Sequence, residues 1–326
     1  MRSSSSRFGR RRAGAALTIA LSVALLGAGC ASGNGGSLAD QEYPIKLDGQ
    51  SYTVGGKNTP SGQLLCEIAA TALQSVGADV QRRCSLGDTQ ATRKALVGHT
   101  IDMYWEETGT AWTTLFNQQP ISGMSQQYRA VQKKDAADNK IVWLEATWAS
   151  NTDAFAVKTD KAKELNLQTI SDMAAYIRSG KPGTVCLDSA YQQNQTSGLP
   201  GLERTYGFQL TPDRQKVLPS ADIYPATAGQ DCLFGKVSAD DPQVAKNGLT
   251  VLVDDKYYHP SFNDAITIRK DVYDRNPDIS RVFTPVARQL TDPVMSKLLL
   301  EMSQGKSAHD VAVQWLNDEG FVEGGS

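Results

Sequence analysis

The sequence lacks the short motifs that identify the common enzyme classes. It has no G-x-S-x-G elbow, H-E-x-x-H helix, P-loop or G-x-G-x-x-G turn among its 326 residues, so the usual serine hydrolases, zinc proteases and nucleotide-binding enzymes are not indicated. Asp188, Ser189 and His259 are the residue types of a hydrolytic triad. Without an elbow to expose the serine, they are more consistent with polar surface or hinge positions. No catalytic residue is predicted.

Histidine and clustered cysteine are also scarce. The three histidines, His99, His259 and His309, are far apart, and the five cysteines form no C-x-x-C pair. Structural zinc sites need such ligands at short spacings. The sequence therefore predicts neither a metal nor a cofactor.

Long apolar runs are absent except for one near the amino terminus. A basic leader precedes an uncharged apolar run, which ends in Gly-Ala-Gly before Cys30. This pattern predicts a signal peptide over residues 1–29, cut before a lipidated Cys30, and a flexible tether over residues 30–42. An uncleaved anchor and an ordinary secreted protein are the alternatives. No later run approaches the roughly 20 apolar residues of a membrane span.

Positive charge is in deficit once the leader is removed. Five of the 33 basic residues lie in the leader, which leaves 28 against 35 acidic residues and a formal net charge of −7. An acidic body is a poor match for nucleic acid, so no nucleic-acid partner is expected. The remaining chain is long enough for one large domain or two ordinary ones.

Four cysteines follow the predicted lipidation site. An even number in an oxidising compartment favours disulfides, and three pairings are open. We favour Cys66 with Cys84 and Cys186 with Cys232, because this arrangement places one bridge in each half of the chain. Buried free thiols are the alternative.

Strands and helices alternate from Gln50 onward. "SYTVGG" and "IDMYWEE" have the composition of strands, and Thr59 and Pro60 are typical of the first residues of a helix. The pattern restarts in the second half of the chain. Strands that alternate with helices predict an α/β protein with mainly parallel sheets, in which ligands bind beyond the carboxyl ends of the strands.

Lys57 and Asn58 lie at one such strand end, just before the first helix. The free N–H groups and dipole of a helix N-terminus attract negative charge. The pair is therefore suited to a ligand carboxylate, although on its own it is more typical of a solvated turn.

Six segments occur in the order and spacing of one protein family. They are "VGGKNTPSGQLLCEIAATAL", "LGDTQATRKALVGHTIDMYWEETGT", "IVWLEATWASNTDAFAV", "TISDMA", "SGLPGLERTYGF" and "VLVDDKYYHPSFNDAITIRKDVYDRNPDI". From about Gln50 to Phe321, the chain resembles the substrate-binding proteins of ABC importers for quaternary amines such as glycine betaine, choline, carnitine and proline betaine.

The resemblance implies a two-lobed, type II-like periplasmic-binding-protein fold with two crossover segments between the lobes. Lobe I is expected to comprise residues 43–149 and 256–326, and lobe II residues 150–255. The resemblance also implies an extracytoplasmic, lipid-anchored monomer that delivers a small ligand to a permease driven by a cytoplasmic ATPase. An extracytoplasmic lipoprotein enzyme or sensor on the same scaffold, acting on a cationic small molecule, is the alternative.

Two residues depart from the aromatic cage of the family. Glu107 stands where the family usually has a tyrosine before Thr-Gly-Thr, and Asp153 stands where it has a tyrosine after Asn-Thr. Two carboxylates in one closed cleft repel each other unless a cation lies between them. We therefore expect a ligand with a primary, secondary, amidine or guanidine-type nitrogen, or a choline-like cation without a carboxylate. The alternative is that Glu107 faces solvent.

The other expected ligand contacts follow from the resemblance. Lys57 and Thr110 fall at the positions that hold a ligand carboxylate, and several aromatic residues are candidate walls of the cage. The full set of candidate ligand-binding residues is Lys57, Asn58, Tyr104, Glu107, Thr110, Trp148, Asp153, Tyr191, Tyr224 and Tyr258.

Overall fold

The computed structural model describes residues 45–119, 121, 123–195 and 197–322. They belong to one compact unit. The predicted signal peptide, Cys30 and the tether lie outside the described residues. Within the described part of the chain, no helix has the length and apolar character needed to cross a membrane.

Short strands alternate with helices along this part of the chain. The strands are β1 (Ser51–Gly55), β2 (Asp79–Arg83), β3 (Met103–Glu107), β4 (Ile141–Ser150), β5 (Asp153–Lys158), β6 (Val185–Leu187), β7 (Gln215–Val217), β8 (Phe234–Ser238), β9 (Leu249–Val251) and β10 (Asn263–Arg269).

The α-helices are α1 (Pro60–Ser75), α2 (Thr89–Val97), α3 (Thr108–Thr110), α4 (Met124–Asn139), α5 (Thr159–Glu164), α6 (Ile170–Arg178), α7 (Ser189–Gln193), α8 (Leu199–Tyr206), α9 (Ser220–Ala228), α10 (Pro242–Lys246), α11 (Lys270–Arg275), α12 (Ile279–Gln289), α13 (Asp292–Ser303) and α14 (Ala308–Asp318). A π-helical turn, Ala111–Leu115, continues α3, and a 3₁₀ turn, Pro212–Arg214, precedes β7.

The strands form two five-stranded sheets, in the orders β2-β1-β3-β10-β4 and β7-β6-β8-β5-β9. Each sheet contains parallel strands and one strand, β10 or β5, that runs antiparallel to both neighbours. The sheets are therefore mixed, whereas we expected mainly parallel sheets. The reason is the route of the chain: β10 and β5 each arrive from the other sheet, at the end where the parallel strands finish, and so run in the opposite direction.

The chain crosses between the sheets twice. Only Asn151 and Thr152 separate β4 from β5, and residues 252–262 lead from β9 back to β10. Each sheet has its own large apolar core. This is the two-lobed α/β architecture that the sequence predicted. We call the parts built around the first and second sheets the first and second lobes; the residue limits given above for lobes I and II stay a prediction.

The start of α1 is as the sequence predicts. Thr59 caps the helix by accepting a hydrogen bond from the backbone N–H of Gly62 at 3.1 Å, and Pro60 lies in the first turn. A Cβ at Gly56 would lie 2.7 Å from the carbonyl oxygen of Gly62. Only glycine therefore allows β1 to turn so closely against α1, and this turn positions Lys57.

Both favoured disulfides are confirmed. Cys66 in α1 is bonded to Cys84 after β2, with 5.4 Å between the Cα atoms. Cys186 in β6 is bonded to Cys232 before β8, with 5.7 Å between the Cα atoms. One bridge lies in each lobe.

One helix of the first lobe also contacts the second. α13 buries Met295 and Leu298 in the core of the first lobe. On the same helix, the Ser296 hydroxyl donates to the carbonyl oxygen of Asp241 at 2.7 Å and accepts from the N–H of Ala245 at 3.1 Å. The lobes are thus joined by the contact of α13 with α10 as well as by the crossing segments.

Candidate ligand site between the lobes

Strand ends of the first sheet bring a lysine and several carboxylates together. Lys57 follows β1, Glu106 and Glu107 end β3, and Asp264 is the second residue of β10. Because β10 is antiparallel to β3, Asp264 lies directly opposite Glu107 in the ladder. Opposed side chains share a face, with Cβ atoms about 4.5–5.5 Å apart, and like charges in such a pair destabilise the sheet.

Lys57 is bonded to both glutamates. Its Nζ lies 2.6 Å from Oε1 of Glu106 and 3.3 Å from Oε2 of Glu107. Burial acts to lower the pKa of Lys57, but the two carboxylates outweigh burial and hold the pKa above its usual value. Lys57 therefore stays charged, and its charge is balanced within the protein.

Glu106 is the buried centre of this arrangement. Its side chain has 0% exposed surface, and besides Lys57 it accepts hydrogen bonds from the backbone N–H of Glu107 at 2.9 Å and the hydroxyl of Tyr104 at 2.6 Å. Burial raises the pKa of Glu106, and Lys57 partly offsets this rise. Tyr104 is itself fully buried. Its hydroxyl holds Glu106 in place on the buried side of the strand, and its ring does not line a cleft, contrary to our prediction.

Glu107 is held by protein groups and does not simply face solvent. Its side chain is 22% exposed. One carboxylate oxygen accepts a hydrogen bond from the hydroxyl of Thr110 at 2.7 Å in addition to the contact with Lys57. Both residues expected to bind a ligand carboxylate, Lys57 and Thr110, therefore donate to an acid of the protein.

Two acids that the sequence analysis missed, Asp264 and Asp240, extend this group. Burial and repulsion by Glu107 raise the pKa of Asp264 well above its usual value. Asp240 follows β8 in the second lobe and is buried. Burial, followed by repulsion from Asp292 and Glu107, raises the pKa of Asp240 to about 7. Among the described residues, neither aspartate forms an ion pair with a lysine or arginine.

We call Glu107, Asp240 and Asp264 the acid cluster. It contains residues of both lobes, and Lys57, already bonded to Glu106, is the only basic group that the described structure pairs with it. A cavity of about 400 Å³ opens beside Asp240. Its walls come from the start of α1, from α13, from the loop after β8 and from the crossing residue Asn151. Of the acid cluster, Asp240 therefore borders open space between the lobes.

Asp153, the other predicted acid, is paired within the second lobe. Its carboxylate lies 2.5 Å from Nζ of Lys236, which is also 3.2 Å from Asp188. Burial acts to lower the pKa of Lys236, but the two aspartates outweigh it and the pKa is raised. The sequence analysis did not single out Lys236, and it supplies the cation that we expected a ligand to bring to Asp153.

The predicted aromatic walls differ in their exposure. Tyr191 and Tyr224 are buried, with hydroxyls bonded to His259 at 2.8 Å and Asp241 at 2.9 Å, and Lys236 lies 5.5 Å from the centre of the Tyr191 ring. Neither ring is free for a ligand in this structure. Trp148 is 61% exposed and Tyr258 is partly exposed, so these two stay candidates.

The described residues do not assemble the triad considered from the sequence. His259 is bonded to Asp254 at 2.9 Å and to Tyr191 at 2.8 Å, and not to Ser189. Asp188 instead contacts Lys236 and caps α7. Burial acts to raise the pKa of Asp254, but hydrogen bonds from His259 and Tyr206 outweigh it and lower the pKa to about 2. Asp254 and His259 of the second crossing segment are thus hydrogen-bonded to each other and to tyrosines of the second lobe.

Two α/β lobes joined by crossing segments, with a cavity between them that Asp240 lines, define a two-lobed periplasmic substrate-binding protein. The family of substrate-binding domains of ABC-type glycine betaine transport systems matches residues 50–318. The chain therefore belongs to this family.

Individual proteins support the same assignment. The chain is similar to the glycine-betaine-binding protein of Pseudomonas aeruginosa, with 28% identity over 282 residues that cover 85% of this chain and 90% of that protein. It is 29% identical to the glycine betaine-binding protein YehZ of Escherichia coli over 279 residues, which cover 83% and 91% of the two chains. The solved structure of apo YehZ has a TM-score of 0.77 and 27% identity, covering 83% of this chain and 99% of that one.

The family assignment also indicates the cellular location of the protein and its transport partner. Substrate-binding proteins of ABC importers work outside the cytoplasm and serve a membrane permease. The chain is accordingly an extracytoplasmic transport component. The alternative of an enzyme on the same scaffold gains no support from these similarities.

Proposed function

We propose that this protein captures a small organic cation between its lobes and delivers it to the permease of an ABC importer. The acid cluster carries the proposal. Glu107 and Asp264 are opposed across a strand pair, Asp240 approaches from the other lobe, and Lys57 is already bonded to Glu106. Such a group favours a further positive charge, because burial and repulsion by neighbouring carboxylates disfavour the ionised forms of Asp240 and Asp264.

A bound cation is expected to favour closure of the lobes, because it offsets the repulsion between carboxylates of the two lobes. A ligand shifts a two-state equilibrium only by its preference for one state. A cation that contacts Glu107 and Asp264 on one side and Asp240 on the other interacts with all three only when the lobes are together. We expect the motion at two hinges, Trp148–Asp153 and Asp254–Pro260.

The similar proteins narrow the chemical class of ligand. Two of them are named as glycine-betaine-binding proteins, so quaternary amines are the first candidates. Trp148 and Tyr258 retain ring surface for a methylated ammonium. Amines that carry N–H groups are the second candidates, because carboxylates accept hydrogen bonds from them.

Calorimetric titration tests this function. A thermal-shift screen of amines and betaines selects ligands, whose affinity is then measured for the wild type, for Glu107→Gln and for Asp240→Asn. We expect both variants to bind the cation at least about tenfold more weakly. Asp138→Asn, a change in an exposed ion pair on α4, is the control. Tight binding of glycine betaine that Glu107→Gln leaves unchanged would contradict the proposal.

The same proposal includes anchoring of a monomer through Cys30. The leader and the small residues before Cys30 support it. We expect Cys30→Ala to release the protein from the membrane fraction and to abolish incorporation of a labelled fatty acid. A Cys30→Ala protein that stays in that fraction would rule out this anchor.

A further inference from the structure

We infer that the preferred ligand carries no carboxylate, and that Glu106 is the residue that determines this preference. The inference rests on the proposed function, because it concerns the same site. It goes further by naming the ligand class and a specificity-determining residue that does not line the cavity.

The first argument is that three hydrogen-bond donors at the strand ends already serve acids of the protein. Lys57 donates to Glu106 at 2.6 Å and contacts Glu107 at 3.3 Å. The hydroxyl of Thr110 donates to Glu107 at 2.7 Å, and the backbone N–H of Glu107 donates to Glu106 at 2.9 Å. A ligand carboxylate that bound to any of these three donors would have to take it away from Glu106 or Glu107.

The second argument is charge. Lys57 is one positive group beside Glu106, Glu107 and Asp264, with Asp240 near them. A positive ligand relieves their repulsion. A zwitterion brings its own anion to the same place, so part of the gain from its ammonium is lost.

The third argument is that Glu106 cannot easily give up Lys57. Glu106 has no exposed surface, and the hydroxyl of Tyr104 fixes its other oxygen at 2.6 Å. If Lys57 turned toward a ligand carboxylate, Glu106 would become a buried charge without its cation, which is strongly unfavourable. Glu106 thereby converts a lysine at a helix N-terminus, which is suited to bind anions, into part of a site for cations.

Two pairs of probes isolate the ligand carboxylate. Choline and glycine betaine share a trimethylammonium group, and ethanolamine and glycine share a primary ammonium group; in each pair a CH₂OH group replaces COO⁻. We measure the dissociation constants of all four for the full chain without its leader. In at least one pair, the alcohol is expected to bind about tenfold more tightly than the acid.

The variant that tests Glu106 is Glu106→Gln, which keeps the shape and removes the charge. Lys57 then becomes available to a ligand carboxylate, so the preference for the alcohol is expected to shrink by about tenfold. Tyr104→Phe is the matched control, since it also removes a contact of Glu106 but leaves the carboxylate on Lys57. Its preference should equal that of the wild type.

The outcomes separate the inference from the proposed function. If none of the cations binds the folded wild type, the proposed function fails. If a cation binds but in neither pair does the alcohol bind more tightly than the acid, only the inference fails, and this result needs no variant. An unchanged preference in folded Glu106→Gln also overturns the role of Glu106.

Discussion

Each lobe contains a lysine bonded to two carboxylates, yet the surroundings of the two groups differ. In the first lobe, Lys57 lies between Glu106 and Glu107, with Asp264 and Asp240 nearby. In the second, Lys236 lies between Asp153 and Asp188. The Glu106 side chain is 0% exposed and that of Asp153 is 41% exposed, so water can stabilise Asp153 but not Glu106.

The pKa shifts show what this difference means. Burial raises the pKa of Glu106, Asp240 and Asp264, because the positive charge available does not compensate them fully. The pKa of Asp188 shifts in the opposite direction. Burial acts to raise it, but the hydrogen bond from the backbone N–H of Tyr191 and the positive charge of Lys236 outweigh burial and lower it. Asp153 and Asp188 have the partner they need in Lys236. The acid cluster lacks one, and we propose that the ligand supplies it.

The largest expected effect is on stability when each lysine is removed. Lys57→Met leaves Glu106 as a buried charge without its cation, and loss of one partner from a buried pair typically costs about 3–5 kcal/mol. Lys236→Met should cost clearly less, because Asp153 is 41% exposed and solvent screens its charge. Urea unfolding of the two variants beside the wild type measures both costs. Equal costs would remove the distinction between the two groups.

The next effect is on affinity for a cation. Asp264→Asn removes a carboxylate of the acid cluster and is expected to weaken binding by about 10- to 100-fold, as for other interactions worth about 1.4–3 kcal/mol. Asp153→Asn is the matched change in the second lobe and should weaken binding less, because Lys236 already balances Asp153. The reverse order in calorimetric titrations would move the cation site to the second lobe.

The smallest effect is on the pH dependence of the protein without ligand. The pKa of Asp240 rises from 3.8 to about 7 on folding, so the folded state binds more protons than the unfolded state between these values. The titration of Asp240 therefore lowers the free energy of unfolding as pH rises from about 4 to about 7. A bound cation favours the ionised form and reverses this trend.

Thermal shifts measure the same linkage. The rise in melting temperature caused by a cationic ligand should be larger at about pH 8 than at about pH 5.5. Asp240→Asn should reduce the difference between the two pH values, whereas Asp188→Asn, in the second lobe, should not. A ligand-induced shift that is independent of pH in the wild type would contradict the role given to Asp240.

Local signals in the sequence predicted much of the fold. The cap at Thr59, the proline in the first turn of α1 and the end of β3 at Glu107 depend on neighbouring residues, and the structure has all three. The disulfides follow from an even number of cysteines and one bridge per half. The resemblance of whole segments then supplied the two-lobed arrangement.

The composition of the acid cluster depends on contacts that short segments do not encode. Asp264 reaches Glu107 because β10 returns from the second lobe and pairs antiparallel with β3. Asp240 approaches them only because the lobes face each other. Tyr104 was predicted to line the cleft, but β3 is a central strand covered on both faces, so the ring is buried. Lys236 was missed because it lies within β8 and not at a strand end.

The most direct test of a cation at the acid cluster is a crystal structure with choline bound. We predict that the ammonium group lies within about 4–6 Å of the carboxylates of Glu107 and Asp264, the range over which an opposite charge stabilises an acid, while Lys57 stays on Glu106. A choline molecule beside Asp153 and Lys236, with Glu107 and Asp264 away from it, would contradict the account.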